Sequence, residues 1–510
     1  MFKSVTRIGF SFVVAACLFA SLSRAQDWRG KLKINWEKIV GVSRTVPTYQ
    51  RGATQMTLPN SPLHDPEWRN MHNLGAEYAR FQSYFWFGKL SVAELEPPQE
   101  GKTYWDFSYM DPPLEDFLEA TKGHTIILNI ATIPQWMFKT PKAVSYPADV
   151  NELNYGYEQG TELRDPSMKE VAEYFARLAS WYTRGGFRDE YGQWHASGHR
   201  YKIEYWEVLN EVDMEHQMTP ETYTALYDAV VEAIRRVDPQ MKFVGMALGG
   251  TSTVPIPEDQ PRFFEYFLDP KNHKPGIPVD MISYHFYALP GPDEDPYVQQ
   301  FTVFDQGDRF LSLVKYIDSI RQRLAPKTRT TIDEIGIISA DDMMCGTPGH
   351  VSKPIPDSYW NLSAAFYAYI YHGLSRLGIQ AAAMGAILGY PNNVFPSTTM
   401  MDWKTGQPNA RYWALKLLIE NAGPGDKQVE TTINLPFVEA QGYVRPDGQR
   451  KILLVNKRDR PFGISMPGMK GGSVQYVDQK TNFQPAVSQS IDGDKLTLSG
   501  FAVAVVTLPH

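Results

Sequence analysis

The feature that most constrains the fold of this chain is an eightfold alternation of strand-like and helical segments between about residues 39 and 420. Each of the first seven strand-like runs is followed by a polar loop and then by a stretch with apolar residues at helical spacing. Parallel strands joined by helices are the expected result of such an order. The predicted strands are Ile39–Ser43, Tyr78–Tyr84, Thr125–Ile130, Ile203–Leu209, Lys242–Ala247, Asp280–His285, Thr330–Glu334 and Gln380–Ile387.

Eight alternations of this kind predict an α/β fold, a (β/α)8 TIM barrel with enlarged loops, over residues 39–422. The alternative is a doubly wound open sheet. A nucleotide-binding sheet of that type would carry a Gly-x-Gly-x-x-Gly sequence after its first strand, and the sequence has none there. The pattern therefore favours the barrel.

The residue pattern changes at residue 423, where short runs of alternating apolar and polar residues, separated by turn residues, begin. Residues 423–510 are predicted to form a C-terminal all-β sandwich domain. Residues 26–38 contain one more alternating run, Lys31–Trp36, which we expect to add a strand to that domain. The runs of the C-terminal part are Phe437–Tyr443, Lys451–Asn456, Ser473–Val477, Lys495–Leu498 and Ala502–Leu508.

The N-terminus has the pattern of an export signal. Lys3 and Arg7 give a positive start, Ile8–Leu22 is apolar, and Ala25 ends a segment suited to cleavage. Residues 1–25 are therefore predicted to be a signal peptide, and the protein to be secreted or periplasmic. Lipoprotein anchoring through Cys17 is the alternative. No later segment has the roughly 18 uninterrupted apolar residues of a membrane span.

Composition excludes some function classes. The net charge of −7 leaves no basic surplus for nucleic acid or an anionic membrane. Cys345 would be the one cysteine left after loss of Cys17, and with no Cys-His pattern around it we interpret it as a free thiol. No His-x-x-x-His sequence or carboxylate cluster at ligand spacing accompanies His64 or His285, so we predict no metal and no cofactor. The oligomeric state stays undetermined.

Two glutamates stand at the ends of predicted strands. Glu211 follows the fourth strand and Glu334 ends the seventh. The active sites of (β/α)8 barrels lie at the C-terminal ends of the strands. Two carboxylates held ~5 Å apart there are what a retaining glycosidase uses as its acid/base and its nucleophile.

Other strand ends supply polar groups to the same face. Arg80, on the second strand, is suited to hold a nearby carboxylate ionised. Asn210 offers an amide to a sugar hydroxyl. His285 and Tyr287 alternate along one face at the end of the sixth strand, where they would bind the substrate or orient Glu334.

Four further residues each have two possible interpretations. Trp136 and Trp403 are candidate platforms for a sugar ring, and core packing is the alternative for both. Glu207 lies on the same strand face as Glu211, so it competes for the acid/base role unless it is a buried structural carboxylate. Asp333 is adjacent to Glu334 and is expected to point to the opposite side of the strand; the alternative is that Asp333 faces inward, in which case Glu334 would lose its role.

Three segments carry a resemblance to a known family: Trp206–Asp213, Val279–Tyr287 and Thr331–Glu334. They resemble clan A glycoside hydrolases, and most of all glycoside hydrolase family 39, the β-xylosidase and α-L-iduronidase family. The resemblance extends over about residues 35 to 510, because that family also carries a C-terminal β-sandwich. Supporting segments are Trp105–Asp111, Met401–Trp403 and Asn409–Trp413.

The resemblance implies that Glu211 is the acid/base and Glu334 the nucleophile of an exported retaining glycosidase with a carbohydrate substrate. It implies action on a plant or microbial glycan, as a β-xylosidase-like or related exo-glycosidase. Leu209 and Val212 depart from the family pattern, which has Trp before the Asn-Glu pair and Pro after it. Neither residue transfers a proton, so the departure bears on the walls of the sugar pocket.

Two alternatives stay open. One is a neighbouring clan A family, such as family 5, 30, 51 or 79, with the same chemistry and other sugars. The other is a catalytically inactive barrel that acts as a glycan-binding scaffold, which the departures at Leu209 and Val212 would favour.

Overall fold

The computed structural model describes residues 29–83, 88–140, 142, 145–150, 162–252, 260–291, 294–344, 350–351, 353–389 and 395–509. The predictions for the export signal, for Cys17 and for Cys345 lie outside these residues. Within them, none of the helices combines the length and the apolar character that crossing a membrane requires.

The described part of the chain forms nineteen strands and nine α-helices. The strands are β1 (Arg29–Val42), β2 (Val46–Gly52), β3 (Ala79–Ser83), β4 (Ile126–Ile130), β5 (Gly186–Arg188), β6 (Trp194–Ala196), β7 (Tyr205–Val208), β8 (Lys242–Leu248), β9 (Met281–Ala288), β10 (Arg329–Ile337), β11 (Ala381–Met384), β12 (Lys427–Ile433), β13 (Val438–Val444), β14 (Arg450–Asn456), β15 (Phe462–Ser465), β16 (Ser473–Val477), β17 (Val487–Ser490), β18 (Lys495–Leu498) and β19 (Val503–Thr507). The helices are α1 (His64–Leu74), α2 (Gly88–Ser91), α3 (Asp111–Ala120), α4 (Lys169–Arg184), α5 (Pro220–Val237), α6 (Gln260–Leu268), α7 (Pro296–Leu324), α8 (Asp357–Leu377) and α9 (Ala410–Asn421).

Eight strands close into a parallel barrel in the order β2-β3-β4-β7-β8-β9-β10-β11, with β11 pairing back to β2. Helices α1 and α3 to α9 each connect one barrel strand to the next or follow the last one. The short helix α2 and the hairpin β5–β6 are insertions in the connections. The predicted (β/α)8 fold is confirmed.

The prediction for the first barrel strand is wrong. Ile39–Ser43 does not enter the barrel: Ile39 pairs with Val429 in the antiparallel β1–β12 ladder, and its side chain is 52% exposed. The first barrel strand is β2, which is buried along its whole length. Its polar residues Gln50 and Arg51 are buried in the structure, so β2 lacks the apolar run that marks the other strands.

The C-terminal strands form one nine-stranded sheet in the order β17-β16-β19-β14-β13-β12-β1-β15-β18. Strands far apart in that order share one apolar core: Ile464 of β15 and Leu498 of β18 pack in the same cluster as Ile452 of β14 and Val474 of β16. The sheet therefore curls around its core, in agreement with the predicted β-sandwich. The sequence patterns had not indicated β12, β15 and β17.

Helix α5 shows how the barrel holds the end of a central strand. The Thr219 hydroxyl caps it by accepting the Thr222 N–H (3.2 Å), and Pro220 occupies the first turn. From its buried face, Tyr223 donates its hydroxyl to the Val208 carbonyl (2.9 Å), and the Met246 N–H donates to the same hydroxyl (2.7 Å). The ends of β7 and β8 are thereby tied to each other at the mouth of the barrel.

Candidate active site

The polar centre of the barrel mouth is Arg80 on β3, which is fully buried. Its Nη1 donates to Glu334 Oε1 (2.8 Å), its Nε to Glu207 Oε2 (2.6 Å) and its Nη2 to Asn210 Oδ1 (2.6 Å). Burial by itself would lower the pKa of Arg80, but the charges of Glu207, Asp333 and Glu334 raise it. The guanidinium is a fixed cation that joins three strand ends.

Glu334 lies on β10 and is 8% exposed. Its Oε1 accepts from Arg80, with the Gln50 amide nitrogen at 3.5 Å, and its Oε2 accepts from the Tyr287 hydroxyl (2.9 Å). Both carboxylate oxygens thus have a donor, one of them charged, and these contacts fix the orientation of the group.

Glu211 lies just beyond the end of β7, and 23% of its side chain is exposed. Its backbone N–H donates to the Ala247 carbonyl (2.9 Å), and its φ of +37° turns the chain sharply there. Burial raises the pKa of Glu211, and the charges of Glu334 and Asp213 act in the same direction, while the contact with His285 opposes them. The surroundings of Glu211 therefore favour its protonated form.

His285, on β9, is buried between carboxylates. Its Nδ1 lies 2.8 Å from Glu211 Oε1 and 3.7 Å from Glu334 Oε2, and its Nε2 lies 3.3 Å from Asp333 Oδ1. Burial alone would lower the pKa of His285, but the three carboxyl groups raise it well above its ordinary value. These surroundings favour the protonated form of the ring, whose two nitrogens both face acids.

The spacing of the two glutamates constrains the chemistry. One carboxylate oxygen of Glu211, one of Glu334 and a ring nitrogen of His285 all lie within 4.8 Å of one another. Retaining glycosidases hold their carboxyl groups ~5–5.5 Å apart, and inverting enzymes ~6.5–9.5 Å. The approach of one oxygen of Glu211 to one of Glu334 within 4.8 Å favours the shorter spacing.

The same three side chains form one of two sets in the described residues that could hold a metal ion; the other is Asp111, Glu115 and His199. In the first set both ring nitrogens of His285 already face carboxyl groups, and a ring nitrogen in its protonated form has no lone pair for a metal. In the second set, Asp111 accepts hydrogen bonds from the side chains of Trp181 and Tyr182.

Asp333 does not point away from Glu334, and that prediction is wrong. Asp333 is buried inside the barrel, with its Oδ2 3.3 Å from Arg80 Nε, while the next residue, Glu334, also contacts Arg80. The pairing of β10 with β9 shifts register between Thr331 and Glu334. This bulge lets two consecutive residues face the same side of the strand.

Glu207 lies deeper than Glu211 and is fully buried. It accepts from Arg80, from the Asn129 amide (2.9 Å) and from the Ser283 hydroxyl (2.5 Å). Burial raises the pKa of Glu207 to about 8 against the opposing charge of Arg80. Its contacts are those of a structural carboxylate, the alternative that the sequence left open.

The two tryptophans differ in their surroundings. Trp136 is buried, its indole N–H donates to the Glu94 carbonyl (2.8 Å), and the Arg164 guanidinium lies 4.4 Å from its ring centroid. These contacts favour core packing for Trp136. Trp403 follows β11 and is half-buried, and its indole nitrogen has no hydrogen-bond partner in the described part of the chain.

Of the predicted site residues, six converge at the barrel mouth: Arg80, Asn210, Glu211, His285, Tyr287 and Glu334. The sequence reasoning missed polar residues inside the strands that complete the network, namely Gln50, Gln82, Asn129 and Ser283. Their signal was a polar residue within an apolar strand run. Glu215, which accepts a hydrogen bond from Asn210, was also missed, because it lies outside any strand.

Comparison with known proteins identifies relatives of this arrangement. The family described as Glycosyl hydrolases family 39 matches residues 21–299, which is just over half of the chain. A search of curated proteins finds no match.

Several solved structures share the fold. The GH51 arabinofuranosidase from Xanthomonas axonopodis pv. citri superposes with a TM-score of 0.64 at 12% identity, covering 94% of this chain and 100% of the other. A glucosidase from Croceicoccus marinus has a TM-score of 0.60 at 15% identity, with coverage of 95% and 99%. A GH30 endoxylanase from Clostridium papyrosolvens has a TM-score of 0.57 at 12% identity, with coverage of 94% and 100%.

Proposed function

The chain belongs to glycosyl hydrolase family 39 and is a glycoside hydrolase, and from this premise we propose that it cleaves neutral glycosides with retention of configuration. In this proposal Glu211 is the acid/base and Glu334 the nucleophile. The observation that carries it is the approach of the two carboxylates to within 4.8 Å.

The proposed reaction has two displacements. Glu334 attacks the anomeric carbon while Glu211 gives its proton to the departing glycosidic oxygen, which leaves a glycosyl ester on Glu334. Glu211, now a carboxylate, then takes a proton from water, and the water oxygen attacks the anomeric carbon and releases Glu334. The raised pKa of Glu211 suits the first step, and its contact with the His285 imidazolium stabilises the carboxylate that exists between the two.

Two groups support the nucleophile. Arg80 and Tyr287 each donate to one oxygen of Glu334, so the attacking carboxylate is held in one orientation before the substrate binds. In the proposal Asn210 offers an amide N–H to a hydroxyl of the bound sugar, and Trp403 packs against its ring.

The charge of the site supports a neutral substrate. Five carboxyl groups meet there, those of Glu207, Glu211, Glu215, Asp333 and Glu334. Within the described residues, four of them form ion pairs, and every one of these pairs is with Arg80 or His285. The internal segments outside the described residues contain no Lys, Arg or His in the sequence. Both cations of the site are thus already engaged by acids of the protein, and neither is left to pair with a sugar carboxylate, so we expect uronides to be disfavoured.

Aryl glycosides with azide test the two roles. Glu334→Ala should lose about 10⁴-fold or more in kcat, and azide should restore part of it by forming a glycosyl azide of inverted configuration. Glu211→Ala is the matched control: azide should there yield an azide of retained configuration, because it attacks the glycosyl ester. Full activity in Glu334→Ala would overturn the assignment.

A panel of substrates tests the sugar class. Neutral aryl pentosides and hexosides should be hydrolysed, and aryl uronides should not. A wild type that is silent on all of them yet retains glycan in pull-downs would instead support an inactive glycan-binding scaffold. We also propose export of the enzyme from its N-terminal sequence, which sequencing of the mature N-terminus near Gln26 would test.

A further inference from the structure

The chain turns back on itself directly after Glu211. The N–H groups of Met214 and Glu215 both donate to the Glu211 carbonyl (2.8 and 2.7 Å), which closes a single helical turn. This turn returns the side chain of Glu215 to Asn210, five residues earlier. Glu215 thus reaches the site from a loop.

The amide of Asn210 is held at both ends. Its Oδ1 accepts from Arg80 Nη2 (2.6 Å), and its Nδ2 donates to Glu215 Oε1 (3.0 Å). Arg80 has only donors and Oε1 of Glu215 accepts here, so the two contacts allow one orientation of the amide and exclude the flipped one. One N–H of Nδ2 is left over after these contacts.

We propose that Glu215 is a positioning residue of this site, which fixes the Asn210 amide so that its second N–H is presented to a hydroxyl of the bound sugar. The inference rests on the proposed function. It adds a residue that acts through Asn210, and it makes the chain Glu334–Arg80–Asn210–Glu215 one connected unit.

The surroundings of Glu215 indicate that it does this as a neutral acid. Burial raises the pKa of Glu215 well above its ordinary value, and the charges of Glu211 and Glu334 add to that effect, while the hydrogen bond with Asn210 and the charge of His285 act against it. A neutral carboxyl group still accepts at its carbonyl oxygen. It also adds no negative charge beside Glu211 and Glu334.

A pair of substitutions of similar volume separates the hydrogen bond from simple packing. Glu215→Gln keeps an acceptor for Asn210, whereas Glu215→Met fills the space without one. Glu215→Met should lower kcat for aryl glycosides by roughly 10- to 100-fold, since a misplaced contact to the reacting sugar can cost about 10²-fold. Glu215→Gln should keep most of the wild-type kcat.

A double-mutant cycle distinguishes positioning of Asn210 by Glu215 from a purely structural role of Glu215. In an Asn210→Ala background, Glu215→Met should cause little further loss, because the residue through which it acts is gone. The alkaline limb of the pH profile of kcat/KM should coincide in Glu215→Gln and wild type, since a neutral residue is replaced by a neutral one.

Losses from Glu215→Met that add fully to those of Asn210→Ala would overturn the inference, as would equal activity of the Met and Gln variants. A shifted alkaline limb in Glu215→Gln would show that the residue is ionised. A wild type without glycosidase activity would instead refute the proposed function. Thermal unfolding of each variant identifies any that does not fold. The activity of Glu215→Gln and the double-mutant cycle with Asn210→Ala then decide whether the inference holds.

Discussion

Two glutamates of the same chemistry are made different by their neighbours. Glu334 accepts from Arg80 on one oxygen and from Tyr287 on the other. The carboxyl group of Glu211 contacts His285, and its side chain is partly exposed. The first environment fixes the orientation of the carboxyl group through a donor on each oxygen. The second leaves a group that can bind and release a proton, which the acid/base role requires.

The contact between His285 and Glu211 predicts how the activity depends on pH. In the folded protein, the contact with His285 lowers the pKa of Glu211, although burial and other charges raise it overall. Replacing the imidazolium by an amide in His285→Gln removes the lowering charge, so Glu211 should keep its proton to higher pH. The alkaline limb of the profile of kcat/KM should move upward, with a rate loss of roughly 10- to 100-fold.

Tyr287→Phe is the control for this shift. It removes a hydrogen bond to Glu334 and leaves the His285–Glu211 contact in place, so it should lower the rate without moving the alkaline limb. An alkaline limb in His285→Gln that coincides with the wild type would contradict the proposed coupling.

At the scale of the elements, irregular strands place the site. Strand β8 shifts register between Gly245 and Leu248, where Met246 and Ala247 have φ values of +83° and +43°. The Ala247 carbonyl accepts the Glu211 N–H at this bulge. Left-handed backbone in residues with a side chain costs energy, which the contacts of the bulge must offset.

A matched pair of substitutions tests that strain. Ala247→Gly and Ala382→Gly remove the same methyl group from fully buried positions, but Ala382 lies in the regular strand β11. Glycine should relieve strain at residue 247 alone. We expect Ala247→Gly to cost at least about 1 kcal/mol less unfolding free energy than Ala382→Gly in urea titrations. Equal costs would show that the bulge is unstrained.

At the scale of the whole molecule, the barrel and the curled sheet share a core. Leu453 and Val455 of β14 and Val503 and Val505 of β19 pack in the same apolar cluster as the barrel residues. Alternate residues of these strands face the domain's own core. The sheet therefore covers apolar surface of the barrel, and we expect the two to unfold together.

Leu453→Ala tests this coupling. It should remove about 2–4 kcal/mol of stability by leaving a cavity between the sheet and the barrel. Because the two parts are coupled, the temperature at which glycosidase activity is lost should fall with the calorimetric transition. Ile39→Ala, at a 52% exposed position of β1, is the control. It should change neither the inactivation temperature nor the calorimetric transition. A barrel whose inactivation temperature is unchanged in Leu453→Ala would show independent domains.

The sequence by itself determined the barrel and the convergence of Arg80, Asn210, Glu211, His285 and Glu334. The physical reason is local: apolar periodicity defines the strands, and parallel strands in a closed barrel bring their C-terminal ends to one face. Any polar group at such an end must therefore lie near the others, whichever residues surround it.

Only the tertiary structure decided the details that depend on pairing. Ile39–Ser43 joins the C-terminal sheet because its hydrogen-bonding partner is β12, far away in sequence. Asp333 and Glu334 face the same way because β10 bulges against β9. The return of Glu215 to Asn210 depends on a turn outside the strands. Register shifts and turns are set by contacts between distant segments, and the residue pattern of one strand carries no record of them.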